Sequence, residues 1–179
     1  MKNIVGALFT AESEAREAMA ALAETPEING TTIYQISLVK RKEGVLKLCD
    51  NFTSDALKSN DTVKGGLVGG LIGLLAGPVG MLLGGAAGAL VGKAGDLDNK
   101  DDSAALIEQA AQKLEEGDIA LIALVEEEDE GVLDHALVKY NTVVVRYDAD
   151  VIAKELAEAE KMEEEMARQA REKLRNAEN

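Results

Sequence analysis

Several residue types on which enzymes and many binding proteins depend are scarce in this chain. Its 179 residues include no tryptophan, three tyrosines, two phenylalanines, one histidine and one cysteine. The hydrophobic core must therefore be built mainly from aliphatic side chains. The single cysteine, Cys49, excludes a disulfide bond within the chain.

Positive charge is also scarce. Nineteen Lys and Arg residues face 33 Asp and Glu residues, which gives a net charge of −14. Such a surface repels a phosphate backbone, so nucleic acid is excluded as a partner. The N-terminal apolar run is short and turns acidic at once, unlike a secretory signal, and we expect the globular part to stay in the cytoplasm.

One segment in the middle of the chain has no charge at all. Between Lys64 and Lys93 lie 28 residues without a charged side chain, and 11 of them are glycine. Many of these glycines recur every four residues, which places them on one helix face and lets a second backbone approach closely. We interpret this pattern as a glycine zipper. Its two rows are Gly69, Gly73 and Gly77, then Gly80, Gly84, Gly88 and Gly92.

This segment cannot stand in water as one exposed helix. Each glycine costs roughly 1 kcal/mol of helix stability relative to alanine, so 11 glycines cost on the order of 10 kcal/mol. The large apolar side chains between the glycines would also face solvent, so lipid or other protein must cover them. The side chains that we assign to this contact are Leu71, Leu74, Leu75, Val79 and Leu82.

On both sides of the glycine segment, the hydrophobic pattern alternates between strands and amphipathic helices. Thr10 is the predicted N-cap of the first helix. The apolar run 119–125 predicts a central strand. In order, the elements are β-α-β-β, the insertion, α-β and then α-β-α. The first six match the ferredoxin-like βαββαβ plan, so the sequence predicts an α+β fold with an αβ extension and a long C-terminal helix.

These elements divide the chain into three parts. Residues 1–62 and 95–148 form the predicted ferredoxin-like domain, residues 63–94 an inserted helical hairpin, and residues 149–179 a C-terminal amphipathic helix. Pro78 is the predicted turn of the hairpin. The apolar stripe of the last helix can pack on its own domain or on a neighbouring subunit.

The hairpin is expected to enter any membrane from one side. The strands before and after it belong to one sheet, so its two ends lie on the same side of a bilayer. Lys64 and Lys93 at these ends suit entry from the cytoplasmic side. Arms of about 20 Å are too short for a bilayer core about 30 Å thick. We therefore expect the hairpin to dip into one leaflet or to be buried in an oligomer.

No pattern of catalytic or metal-binding residues is recognisable in the sequence. The Gly92-Lys93 pair lacks the remaining residues of a phosphate-binding loop. The aspartates between positions 96 and 102 lack the glycine and glutamate of a calcium loop. His135 is interpreted as a polar helix residue and Cys49 as a small buried hydrophobe. The acidic run 126–130 is interpreted as an exposed loop. We expect no cofactor and no metal.

The sequence resembles a bacterial family of unknown function, whose members are described as predicted membrane proteins or stress proteins. The resemblance covers roughly residues 1–160. It rests on the first strand–helix unit and on the stretches KGGLVGGLIGLLAGPVG, ALVGKAGD, LEEGDIALIALVEE and VLDHALVKYNTVVV. It implies a ferredoxin-like domain interrupted after its β-hairpin by a glycine-rich apolar segment, and it assigns no catalytic residues. The longer C-terminal helix departs from the family pattern.

The sequence therefore predicts a non-enzymatic scaffold protein that associates with itself on the cytoplasmic side of the inner membrane. Its hairpin would mediate homo-oligomerisation, lipid contact or both, and the resemblance adds a role in the stress response. One alternative is a small-molecule-binding or sensory domain that uses the sheet face. Another is a lipid-carrying or membrane-remodelling protein. The expected partners are further copies of the chain and lipid, without nucleic acid.

Overall fold

The computed structural model describes residues 1–43, 45–58, 66–76 and 114–177. The strands in these ranges are β1 (Lys2–Phe9), β2 (Glu27–Ile28), β3 (Thr31–Lys42), β4 (Val45–Thr53), β5 (Ile119–Glu127) and β6 (Val144–Asp148). The helices are α1 (Glu12–Glu24), α2 (Asp55–Lys58), α3 (Gly66–Ala76), α4 (Gly131–Leu137) and α5 (Ala149–Ala177), and a 3-10 turn covers Val138–Tyr140.

All six strands belong to one antiparallel sheet. Its order is β2-β3-β5-β1-β6, and β4 pairs with β3. β5 lies between β3 and β1, as its continuous apolar run predicts for a central strand. The strands before and after the glycine segment therefore share one sheet. The predicted mixed α+β class is confirmed.

β4 does not have the neighbours that the ferredoxin-like assignment of the first six elements predicts. In a ferredoxin-like sheet built from those elements, the second strand of the β3–β4 hairpin would lie beside β1. Here β4 pairs with β3, and β5 occupies the place beside β1. β5 is apolar at almost every position and buried on both faces, whereas Lys47 and Asp50 give β4 the character of an edge strand.

Two turns have the backbone conformation that their local sequence predicts, and the start of one helix does not. Asn29 and Gly30 have φ values of 46° and 78°, in the left-handed region that an Asn-Gly turn between β2 and β3 uses. Glu43, in the predicted turn between β3 and β4, also has a positive φ of 58°. The N-cap prediction for α1 is wrong: the N-cap is Ala11, and no side chain caps it.

The first hydrophobic core lies between one sheet face and the helices α1 and α4. The sheet contributes large fully buried side chains such as Phe9 and Leu121. The buried residues of α1 have the spacing that the sequence predicts for one apolar helix face. The α1 residues in this core are Ala15, Ala18, Met19 and Leu22, and Leu133, Leu137 and Tyr140 close its other end.

The second hydrophobic core covers the opposite sheet face, and α3 is part of it. Sheet residues such as Ile122 and Leu124 are packed there with α3 and with the first turns of α5. The sheet is therefore covered by helices on both faces. The described part of the predicted hairpin, residues 66–76, packs on the α+β domain, although its sequence predicts a separate insertion.

Helix α5 begins on the domain and continues well beyond it. The Asp148 Oδ1 atom accepts hydrogen bonds from the backbone N–H groups of Asp150 and Val151, which caps the helix start. Ile152 and Leu156 are buried. With 29 residues, α5 is about 44 Å long. Across the described ranges, no helix combines the length and the apolar character that a membrane span requires.

Candidate interaction surface on the glycine helix

The inner side of α3 is fixed to the sheet by three side chains. Val68, Leu71 and Ile72 are 0%, 6% and 9% exposed, and all three belong to the second core. Their spacing of three and four residues places them on one helix face. This face orients the rest of the helix and determines which glycines point away from the domain.

Gly70 is the glycine that brings α3 close to α5. A Cβ atom built on Gly70 would lie 2.5 Å from Cδ2 of Leu156. Such a distance is far below van der Waals contact between carbon atoms. The missing side chain therefore lets Leu156 pack directly against the α3 backbone. Gly70 lies outside the zipper rows found in the sequence, because it is shifted by one residue from Gly69.

The zipper glycines Gly69 and Gly73 lie on the outer side of α3. Both are exposed, and a Cβ atom built on either one would meet no atom of the described chain within 4 Å. Gly66, one turn earlier, has the same open surroundings. Together these three glycines form a surface, here called the outer glycine face, on which the α3 backbone is accessible to another helix.

The predicted contact residues are only partly covered by the structure. Leu71 is buried on the sheet, so it is not available to lipid or to another chain. Leu74 and Leu75 lie in the last turn of α3. The other predicted residues lie outside the described ranges: Lys64, Gly77, Pro78, Val79, Gly80, Leu82, Gly84, Gly88, Gly92 and Lys93.

A buried charge cluster joins β5, β6 and α4 at one end of the sheet. The Arg146 Nε atom donates to Glu127 Oε2 at 3.1 Å, and its Nη2 atom lies 3.2 Å from Glu127 Oε1. The same Nη2 atom lies 2.8 Å from Asp134 Oδ1. Asn3 Nδ2 also donates to the Glu127 carboxylate. The Glu127 side chain is 1% exposed and that of Arg146 14%.

The charged groups of this cluster are paired with one another. Partial burial acts to lower the pKa of Arg146, but its hydrogen bonds with Glu127 and Asp134 outweigh this effect and raise the pKa above its usual value. The guanidinium therefore stays charged and paired. Sequence reasoning missed the cluster, since it assigned residues 126–130 to an exposed loop. That interpretation is wrong for Glu126 and Glu127, which belong to β5. The sequence signal that could have revealed the cluster is the arginine within the β-branched run of β6.

Glu155 is a buried carboxylate near the start of α5. It is 9% exposed, and neither carboxylate oxygen has a hydrogen-bond partner in the described chain. Burial raises the pKa of Glu155 above its usual value, and the nearby Glu158 carboxylate adds to the shift. An unpaired buried carboxylate costs stability in its charged form.

The remaining sequence candidates do not form a site. Cys49 is half-buried beside the first core, rather than fully buried as the sequence predicts. His135 is exposed on α4. Within the described ranges, no group of three histidine, cysteine or acidic side chains is arranged to hold a metal ion. The accessible glycine surface of α3 is thus the most distinctive feature of this part of the chain.

Comparison with known proteins identifies a family. Residues 62–177 match the family described as "Protein of unknown function (DUF1269)". The chain belongs to the DUF1269 family. The predicted resemblance to a family of unknown function is therefore confirmed, although the matched range starts later and ends later than expected. No curated protein and no solved structure matches the chain.

The range shared with DUF1269 is not a separate structural unit in this chain. It contains β5 and β6, and these strands do not pair with each other, because β1 lies between them. β5 also needs β3 as its second neighbour. The DUF1269 range includes α3 and α5, so the contact between Gly70 and Leu156 lies within the part that defines the family.

Proposed function

We propose that this DUF1269 protein is a non-enzymatic scaffold that assembles with copies of itself through its glycine segment. The outer glycine face of α3 is the first contact surface, and the zipper glycines that follow in the sequence extend it. Small residues allow two helix backbones to approach closely, which favours helix–helix association. The assembly is cytoplasmic and touches one leaflet of the inner membrane.

The observation that carries this proposal is the orientation of α3. Its apolar face, with Val68, Leu71 and Ile72, is already used by the sheet, and Gly70 is already used by Leu156. Gly69 and Gly73 are left exposed on a helix that the domain holds in place. Each glycine lowers helix stability, so two exposed glycines in α3 are best explained by a second helix that packs on them.

The finer fold is part of the same proposal. We assign β1, β3, β5 and β6 to the four strands of a ferredoxin-like plan, with β4 as an additional edge strand beside β3. The order β3-β5-β1-β6 and the antiparallel pairing support this assignment. In this arrangement the glycine segment lies between the second and third strands of the plan, so both of its ends return to one sheet.

The alternative of a small-molecule-binding domain finds less support. Ferredoxin-like domains that bind ligands on the sheet need an accessible sheet face. Here α1 and α4 pack on one face, and α3 and α5 pack on the other. Central residues such as Leu121 and Leu124 are at most 1% exposed, so the described residues leave no cleft at the middle of either sheet face.

The test is a pair of substitutions on the outer glycine face. A Cβ atom at Gly69 or Gly73 meets no described atom within 4 Å, so Gly69→Leu and Gly73→Leu should keep the fold of the domain and raise the helix propensity of α3. Light scattering should nevertheless show smaller particles than for the unmodified protein, because a leucine blocks close backbone approach. Gly69→Ala should have a milder effect. Unchanged particle size for both leucine variants would contradict the proposal.

Lipid contact is tested separately with Leu75→Lys and vesicles of neutral and anionic phospholipid. A charge within an apolar membrane segment costs a few kcal/mol, so this variant should lose co-sedimentation with vesicles. If the segment is buried between subunits alone, the same variant should instead reduce particle size in lipid-free buffer. A Leu75→Lys protein that behaves like the unmodified one in both assays would overturn both versions of the contact.

A further inference from the structure

The outer edge of β6 is an accessible sheet edge. β6 pairs with β1 along one side, from Asn3–Asp148 to Ala7–Val144. None of the strands in the described ranges pairs with its other side. An unpaired strand edge presents backbone N–H and C=O groups that only another extended chain can satisfy in a regular pattern.

The two edges of the sheet differ in how they are protected. β4 carries Lys47 and Asp50, and its pairing with β3 contains a register shift between Leu38 and Val39. Charges and bulges of this kind prevent strands of other chains from adding to an edge. From Thr142 to Tyr147, the only charge is Arg146, and its guanidinium is held by Glu127 and Asp134.

Apolar side chains are exposed along the unprotected edge. Val143 is 73% exposed, Val145 is 37% exposed, and Leu8 on the neighbouring strand β1 is 39% exposed. The β1–β6 register pairs Gly6 with Val145 and Ala7 with Val144, so its continuation sets Leu8 beside Val143. The three side chains therefore share one sheet face and form an apolar patch next to the free backbone groups.

We propose that this edge binds the same edge of a second copy of the chain, so that the two sheets join through antiparallel β6–β6 pairing. A two-fold axis perpendicular to the sheet relates such copies, and one residue lies opposite its own counterpart. A centre at Val145 sets Val143 against Tyr147, a favourable aromatic and β-branched cross-strand pair. A centre at Arg146 would oppose two like charges and is disfavoured.

Self-complementarity of the β6 edge is the reason for choosing a second copy as the occupant. Each chain carries a net charge of −14, so two copies must meet where no acidic side chains oppose one another. With the centre at Val145, Asp148 lies opposite Thr142, and the residues between them are apolar apart from the internally paired Arg146. The edge is thus both self-complementary in backbone pattern and free of like-charge pairs along its length.

This inference does not rest on the proposed role of the glycine segment, since the β6 edge and the outer glycine face are different surfaces. The experiment should therefore use the Gly69→Leu/Gly73→Leu background, which blocks the glycine contact on α3. In that background the protein should sediment as a dimer whose fraction rises with concentration. A monomer at every accessible concentration would overturn the β6 inference and leave the glycine proposal intact.

The decisive variant is Val143→Lys, with Leu48→Lys as its matched control. Val143 is highly exposed and precedes β6, so the substitution should not disturb folding, and circular dichroism should confirm this. A lysine at this edge should weaken the dimer by about tenfold or more, since charged edge residues oppose strand addition. Leu48, 54% exposed on β4, should tolerate lysine without any change in dimerisation. Equal dimerisation of the two variants would overturn the inference.

Discussion

The Leu156 side chain of α5 packs directly on the α3 backbone at Gly70, where a Cβ atom would lie 2.5 Å from Leu156 Cδ2. One residue earlier, a Cβ atom on Gly69 would meet nothing in the described chain. Two adjacent glycines of one helix therefore have different reasons to be glycine. Gly70 permits a contact within the domain, and Gly69 leaves a surface open.

Substitutions at these two glycines should have different effects on stability. Gly69→Ala should stabilise the domain by roughly 0.5–1 kcal/mol, because alanine favours the helix and meets no described atom. Gly70→Ala should gain less, since Leu156 must move away. Gly70→Leu should destabilise by about 1–3 kcal/mol through overpacking. Chemical denaturation measures these three variants and Gly69→Leu, and equal effects of Gly69→Leu and Gly70→Leu would contradict the packing described here.

The Arg146–Glu127 pair should be among the most sensitive positions of the domain. Arg146→Met leaves the buried Glu127 carboxylate with Asn3 as its only side-chain donor among those described, and removal of one partner from a buried ion pair costs about 3–5 kcal/mol. The control is Lys139→Met, which breaks the exposed pair with Glu17 and should change stability far less than Arg146→Met. Thermal melts that showed the same small change for both variants would mean that Glu127 finds another partner.

Much of the fold can be predicted from the local sequence pattern, but which strands pair with each other cannot. The alternation after Thr31 and the apolar run from Ile119 identify β3 and β5, and the spacing of apolar residues identifies α1. The sequence did not show that β5, rather than β4, would lie between β3 and β1. Pairing within the β3–β4 hairpin and burial of β5 each agree with the local sequence pattern. Which strand lies between β3 and β1 depends on how the helices cover the two sheet faces.

The candidate site was less predictable for a related reason. Four-residue spacing identifies rows of glycine, but it does not tell which row faces the sheet. That depends on Val68, Leu71 and Ile72, whose burial fixes the rotation of α3. The Arg146–Glu127 pair joins two strands that are separated by β1, so no local pattern links them.

Glu155 should make stability depend on pH in the direction opposite to most acidic residues. Its folded-state pKa is raised by burial and by Glu158, so the folded protein binds more protons than the unfolded chain above the ordinary value of 4.5. Stability should therefore fall as pH rises through that window and level off above the raised pKa. Glu155→Gln should remove this loss and be more stable than the unmodified protein near neutral pH.

Glu12 provides a control of opposite sign. Hydrogen bonds with Arg16 and Lys40 lower the pKa of this exposed carboxyl. Its contribution is present above the unfolded-state pKa and disappears as pH falls through the lowered one. Glu12→Gln should therefore be slightly destabilising at neutral pH and without effect at acidic pH, whereas Glu155→Gln should become increasingly stabilising from acidic to neutral pH. Parallel pH profiles for the two variants would contradict this account of Glu155.

Two internal replacements should show where the domain ends and the glycine segment begins. A short Gly/Ser linker in place of residues 77–94 keeps α3, and loop closure costs little extra for a changed loop length. This protein should still unfold cooperatively. The same linker in place of residues 63–94 removes Val68, Leu71 and Ile72 and uncovers the second core, including Ile122 and Leu124.

The larger replacement should therefore lose several kcal/mol, since burial of each large aliphatic side chain contributes about 1.5–3 kcal/mol. It should bind a hydrophobic dye and melt at a lower temperature or without a sharp transition. Both proteins lack the zipper glycines from Gly77 onward, so loss of assembly alone does not separate them. Their difference in unfolding isolates the contribution of α3. Equal cooperative melts would mean that residues 63–94 are an insertion whose removal the domain tolerates, as the sequence alone predicts.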